Sequence, residues 1–196
     1  MPVMPRPVRL FLPAACLLLT ALPGCFDLRP PEPATASSEW VSPTSIDVLL
    51  TNFATAVQRL NAANYERCFV PKGYRFYPDP AAAGSTNAAL FANWSLREEL
   101  DYFNRLRQRT PPAAQNQLQL LARRDQLYGP DSAEVSAQYV LTLAQTDTAF
   151  RFRTMQGNIR LLLRRRNNEW QISAWRDLAT SNQPVWTEAK KYFVRR

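Results

Sequence analysis

No histidine occurs among the 196 residues, so Ser-His-Asp and Cys-His mechanisms and histidine metal sites are all excluded. Proton-transfer chemistry would then need a carboxylate of raised pKa beside a hydrogen-bond donor. The polar side chains that interrupt otherwise apolar patterns are Tyr102, Tyr139, Asp101 and Asp177. Three of them also have an ordinary structural reading. Asp101 lies four residues before Arg105 and would pair with it on an exposed helix face. Tyr139 reads as a core tyrosine with its hydroxyl satisfied at the rim. Asp177 reads as a strand-end residue capping a turn. No acid and donor stand out as a pair, and no catalytic residue is assigned. Glu98, Glu99 and Asp101 could suggest a metal site, but adjacent helix residues point apart and no second carboxylate cluster accompanies them. With five glycines there is no glycine-rich phosphate loop. No metal and no cofactor are expected.

The N-terminus carries Arg6 and Arg9, then an apolar run from Leu10 to Leu22, then Pro23-Gly24-Cys25. The run has the length of a signal-peptide core, whereas a spanning helix needs about 20 apolar residues, and Pro13 interrupts it. Leu22-Pro23-Gly24-Cys25 resembles the lipobox of bacterial lipoproteins, with Pro23 standing where that family usually has a small residue. The resemblance implies removal of residues 1–24 and acylation of Cys25, which would anchor the protein to a membrane of the cell envelope. Phe26, rather than an aspartate, follows the cysteine, which by the same resemblance implies the outer membrane. Cys16 would leave with the leader, so Cys68 would be the one unmodified cysteine of the mature chain, excluding an intrachain disulfide. Its apolar neighbours predict a buried, inert thiol. Residues 25–43 are rich in proline, serine and glutamate and read as an extended tether. The folded domain is expected over 44–196.

Within that domain Thr44-Ser-Ile-Asp47 is a capping signal before a helix to about Leu60, with Ile46, Leu49, Leu50, Phe53, Val57 and Leu60 at helical spacing. Tyr65, Cys68 and Phe69 suggest a short second helix, Tyr74 to Tyr77 a short strand, and 81–87 a loop. Ser95-Leu-Arg-Glu98 is a capping box before a helix that stops at Thr110-Pro-Pro112. Alternation then predicts strands over 118–127, 135–143, 150–153, 159–164 and 170–175, joined by short hairpin turns. Thr187 to Val194 reads as a final helical turn or two. The basic, aromatic tail from Pro184 onward, with Lys190, Lys191, Arg195 and Arg196, is expected to dock back on the sheet rather than lie on a membrane. Helices followed by consecutive strands make the fold class α+β, with N-terminal helices on one face of a curved antiparallel sheet.

This element order, with Asn64-Tyr-Glu-Arg-Cys-Phe-Val-Pro71 after the first helix, Pro78-Asp-Pro80 after the short strand and Glu169-Trp-Gln-Ile-Ser-Ala-Trp-Arg-Asp177 closing the sheet, is similar to the nuclear transport factor 2-like superfamily, which includes ketosteroid isomerase and the polyketide cyclases. The resemblance covers about residues 44–180. It implies a cone with an apolar cavity between helices and sheet. Tyr102, Tyr139 and Asp177 are the residues nominated to line that pocket.

Lysine and arginine number 24 against 16 acids, a formal charge of +8. Alternation places Arg151, Arg153, Arg160 and Arg164 on one sheet face, opposite the apolar positions. Like charges side by side disfavour strand pairing unless acids or a ligand intervene, and only Glu134 and Glu169 are near. The stripe is either a solvated face with stacked guanidinium groups or a contact surface for an anionic partner. Nucleic acid is not expected, because an exported protein does not normally meet it and no aromatic platform interleaves the stripe. The expected function is a membrane-anchored, non-enzymatic domain that binds an apolar ligand or an envelope protein. The alternatives are a cavity enzyme of isomerase or cyclase type, and a structural subunit that forms homodimers through the sheet.

Overall fold

The computed structural model describes residues 40–195. The leader, most of the tether and Cys25 lie outside the described residues. Helix α1 (Ile46–Arg59) starts where the Ser45 hydroxyl accepts a hydrogen bond from Val48 N, and it ends at Leu60 in the left-handed conformation, φ 53°. A short α2 (Ala62–Arg67) is capped by Asn61. Strand β1 (Arg75–Tyr77) leads into α3 (Pro80–Ala83), a 3-10 turn (Ser85–Asn87) and α4 (Ala88–Ala92). The loop expected over 81–87 is therefore mostly helical. Asp79 caps α3 through Ala82 N, and Pro80 takes the first helical position, where its missing N–H costs nothing. Helix α5 (Leu96–Gln108) has the full capping box: the Glu98 carboxylate accepts from Ser95 N at 2.9 Å.

Four long strands follow: β2 (Gln117–Gly129), β3 (Ser132–Thr142), β4 (Thr154–Arg166) and β5 (Glu169–Leu178). The sheet order is β1-β5-β4-β3-β2, antiparallel throughout except for the parallel β1–β5 edge. Register shifts between Leu121 and Arg124 in β2 and opposite Leu162 in β4 bend the sheet. Ala133, Val135, Ala137, Tyr139 and Leu141 of β3 face inward, as do Met155, Ile159, Leu161 and Leu163 of β4. They meet α1, α5 and the last helix, α6 (Trp186–Phe193), in one continuous core. The described residues belong to one compact unit, and its core is drawn from within it. No helix among the described residues is long and apolar enough to cross a membrane.

The strand expected over 150–153 is not formed. The β3–β4 ladder ends at the Thr142–Thr154 pair, and 143–153 is an open loop. Phe150 leaves the sheet to pack on Tyr192 and Phe193, and the buried Gln145 side chain donates to its carbonyl. An aromatic anchor and a loop amide thus take over what alternation had suggested for a ladder.

Candidate functional site

Strand alternation turns Tyr139 of β3 and Asp177 of β5 to the helical side, and both are buried. The Tyr139 hydroxyl donates to Asp177 Oδ1 at 2.8 Å and accepts from Trp186 N at 2.7 Å. Asp177 Oδ2 accepts from both Thr187 N and Thr187 Oγ1 at 2.6 Å. Tyr102 of α5 accepts from Trp186 Nε1 at 2.8 Å. The three nominated pocket residues therefore converge, and what they hold is the first turn of α6. A carboxylate at a helix N-terminus satisfies orphan N–H groups and suits the helix dipole. Burial raises the Asp177 carboxyl above its ordinary range, while the bonds from Thr187 and Tyr139 oppose that rise. Burial, reinforced by Asp177, likewise pushes the Tyr139 phenol up.

One turn further along α6 lies a cluster that reasoning from the sequence missed. Lys190 and Glu99 are both fully buried and form a salt bridge. Glu99 Oε1 also accepts from Tyr65 Oη at 2.7 Å, and Oε2 accepts from Tyr74 Oη and Trp94 Nε1, each at 2.9 Å. Both carboxylate oxygens are thus occupied twice. The Lys190 ammonium stands 3.6 Å from the centroid of the Trp175 ring and 4.0 Å from that of Phe76, with Tyr102 and Trp94 farther out. Such ring faces attract a cation strongly once water is excluded. Burial lowers the Lys190 pKa to about 8, although Glu99 pulls the other way. Burial, with Glu99 beside them, pushes the Tyr65 and Tyr74 phenols well up. The signal was present: Glu99 shares a helical face with Tyr102, Phe103 and Leu106, and Lys190 shares one with Trp186 and Phe193. A charged residue on an apolar face needs a partner.

Both carboxylates of this arrangement are engaged, while the buried Trp175 Nε1 has no hydrogen-bond partner among the described residues. Every acceptor of Glu99 and Asp177 is engaged by the protein's own donors, and α6 fills the space between α5 and the sheet with Trp186, Ala189, Lys190 and Phe193. The described pockets, of about 180 to 460 Å³, are lined by none of Tyr102, Tyr139, Asp177, Glu99 or Lys190. Among the described residues no group of acids and cysteines could hold a metal ion. Cys68 is buried, its thiol donates to Asn64 O at 3.2 Å, and burial raises its pKa. Asp101 is partnered by Arg97 at 4.0 Å rather than by Arg105, whose guanidinium instead donates to Val194 O.

The arginine stripe divides. Arg160 and Arg164 of β4 are exposed on the outer sheet face. Arg160 sits directly across from Arg176 of β5, and its nearest acid is Glu134 at 3.3 Å. Exposed Tyr77 and Leu162 lie among them, around a shallow pocket. Arg151 and Arg153 are not on this face, because the loop over 143–153 takes them out of the ladder. Arg153 donates to Gln145 O at 2.6 Å, and Arg151 lines a pocket of about 430 Å³ beside α6.

No protein-family model matches the chain, and no curated protein matches it. Solved structures do. A candidate aromatic ring hydroxylase from Novosphingobium aromaticivorans is 13% identical over 74% of this chain and 93% of its own, with a TM-score of 0.55. A candidate calcium/calmodulin dependent protein kinase II association domain from Xanthomonas campestris is 17% identical over 70% and 86%, TM-score 0.52. A nuclear transport factor 2-like protein of unknown function in nutrient uptake from Rhodospirillum rubrum is 11% identical over 70% and 99%, TM-score 0.51. At such identities the likeness shows the fold alone. The chain has the nuclear transport factor 2-like fold: a mixed α+β cone of helices on a curved, mainly antiparallel sheet. In this chain the helix α6 is seated by a buried lysine on a buried glutamate.

Proposed function

We propose that the protein is an envelope lipoprotein whose domain binds a partner through its outside and performs no chemistry in its cone. The observation that carries the second half is that both buried carboxylates are engaged by the protein's own donors. Catalysis in a cone of this kind needs an acid or base facing a space that a substrate can enter. Here the buried carboxylates face α6, and Lys190 occupies the position an incoming cation would take. The lipobox resemblance at Leu22-Pro23-Gly24-Cys25 supports the anchoring half. The outer sheet face, where Tyr77 and Leu162 flank the Arg160–Arg176 pair, suits an acidic protein surface that also offers apolar contacts.

Radiolabelled palmitate should enter the wild type and not a Cys25→Ser variant; label in both, or in neither, overturns the anchor. A native mass spectrum of the protein purified from its own host should give the mass of the processed, acylated chain and nothing bound to it non-covalently. A reproducible small-molecule adduct would mean that the cone opens to a ligand, and the exterior-binding reading would fall.

A second reading, assembly of two copies through the outer sheet face, draws on the likeness to an association domain and on the exposed Tyr77 and Leu162. Sedimentation decides it: a dimer that Leu162→Lys dissociates supports assembly, and a monomer at micromolar concentration rejects it.

A further inference from the structure

Cations outnumber acids at the β4–β5 hairpin end of the sheet, where Glu169 stands across from Arg166. A groove of about 460 Å³ there is lined by Lys72, Arg75, Arg164, Arg165 and Arg166, against a single acid, Asp131. Three segments deliver them. The hairpin turns tightly through Asn167 and Asn168, both at positive φ (50° and 66°), which holds Arg165 and Arg166 at the tip. Val70 N donates to Ile172 O at 3.0 Å and lays the 70–73 segment along β5. Strand β1 then places Arg75 opposite Ala174. Arg165 is engaged, by Asn168 and by the face of Trp170. Lys72, Arg75, Arg164 and Arg166 form no salt bridge with a described residue. Like charges gathered in one concavity raise the local potential, and an anion relieves it.

The same end of the molecule is where the chain enters the domain. Pro43 O accepts from Trp170 N at 2.8 Å, beside Arg165 in the ladder, and Arg67 covers the Trp40 ring at 4.2 Å. A tether running back to an acylated Cys25 would therefore start next to the groove. We infer that the hairpin end is the membrane-facing surface of the domain, and that the groove takes the phosphate of an anionic phospholipid headgroup. The membrane part of this inference rests on the anchored reading proposed above. The groove itself does not.

The test uses residues 36–196, which carry the whole described core and no acylation site, so that vesicle binding reports the groove and not the anchor. Partition is measured onto vesicles of phosphatidylcholine alone and of phosphatidylcholine with phosphatidylglycerol. Binding is expected only to the second, and it should weaken steeply with salt as the screening length shortens. Each cation near such a surface is worth about fivefold in partition, so Arg164→Gln with Arg166→Gln should lower binding about 25-fold. Arg97→Gln with Arg107→Gln, on α5, should leave it nearly unchanged. Equal losses from both pairs, or no binding to anionic vesicles, would overturn the proposal. So would a thermal shift by inorganic phosphate that needs Arg164 and Arg166 in a chain that ignores vesicles, because the groove would then serve a soluble phosphate. Failure of palmitate labelling with vesicle binding intact would remove the anchor and leave the groove.

Discussion

The pair formed by Glu99 and Lys190 makes the sharpest quantitative prediction. Replacing Lys190 by methionine keeps an unbranched side chain, one atom shorter, and removes the ammonium that faces Trp175 and Phe76. Glu99 is then left buried with three neutral donors, Tyr65, Tyr74 and Trp94. Removing one partner of a buried pair costs about 3–5 kcal/mol, because the other charge remains desolvated. Glu99→Gln should cost about 3 kcal/mol, since the Lys190 ammonium keeps its ring faces and loses its counter-ion. If the two changes were independent, the double variant would lose about 6–8 kcal/mol, on the scale of the whole stability of a domain. It should instead lose no more than about the worse single change, because a buried ion pair replaced by neutral groups of similar volume is often close to neutral. The expected coupling is therefore about 3 kcal/mol. Urea unfolding followed by tryptophan fluorescence reads it, since Trp94, Trp175 and Trp186 are all buried. Additivity within about 0.5 kcal/mol would refute the reasoning, as would a Lys190→Met variant as stable as the wild type.

Three further outcomes follow from the same geometry. The Tyr65 and Tyr74 phenols are raised in the fold by burial and by Glu99, so above about pH 10 the unfolded state releases protons that the folded state keeps, and stability falls as pH rises. Urea midpoints from about pH 9 to 11 should fall more steeply for the wild type than for Tyr74→Phe, which has one such proton fewer to release; parallel curves would refute this. Asp177→Ala strips acceptors from Tyr139 and Thr187 and should cost about 2–4 kcal/mol, with amide exchange rising first in α6, whereas Asp177→Asn should cost about 1 kcal/mol. At Gly157 an added Cβ would lie 2.7 Å from Leu178 O and 2.9 Å from the Tyr139 hydroxyl, itself held by Asp177 and Trp186; Gly157→Ala should cost about 1–3 kcal/mol in chemical denaturation, while Gly129→Ala, which meets nothing within 4 Å, serves as control.

Local rules carried much of the fold. The helices α1 and α5 follow from apolar spacing behind Ser45 and Ser95, and the inward face of β3 follows from strict alternation through Val135, Ala137 and Tyr139. The same alternation failed at Phe150 and Phe152, because a loop that sends one aromatic inward and leaves the next exposed has the same period as a strand. Tyr139 and Asp177 were legible as polar interruptions, but not as a bonded pair, since 38 residues separate them. Glu99 and Lys190 are 91 residues apart. In the sequence each sits inside a short run of like charge, and such runs are usually solvated, which hid the one member of each run that turns inward.

That concealed pair also explains why α6 has a single seat. A short helix packing by Trp186, Ala189 and Phe193 alone could shift along an aromatic surface with little penalty, since apolar contacts are not directional. The polar contacts are directional. Asp177 and Tyr139 fix the first turn from β5 and β3, Tyr102 fixes the indole of Trp186 from α5, and Glu99 fixes Lys190 one turn later. Rotating the helix by one residue would bring Lys191 toward the cage and leave Glu99 without its counter-ion, while Lys191 would lose its bonds to Ala82 O and Glu188. The Glu99 carboxylate moreover joins α2, the approach to β1, the start of α5 and α6 through Tyr65, Tyr74, Trp94 and Lys190. A cone built to admit ligands would gain nothing from locking its cover to four segments at once. A cone that serves as a rigid platform for its outer face would.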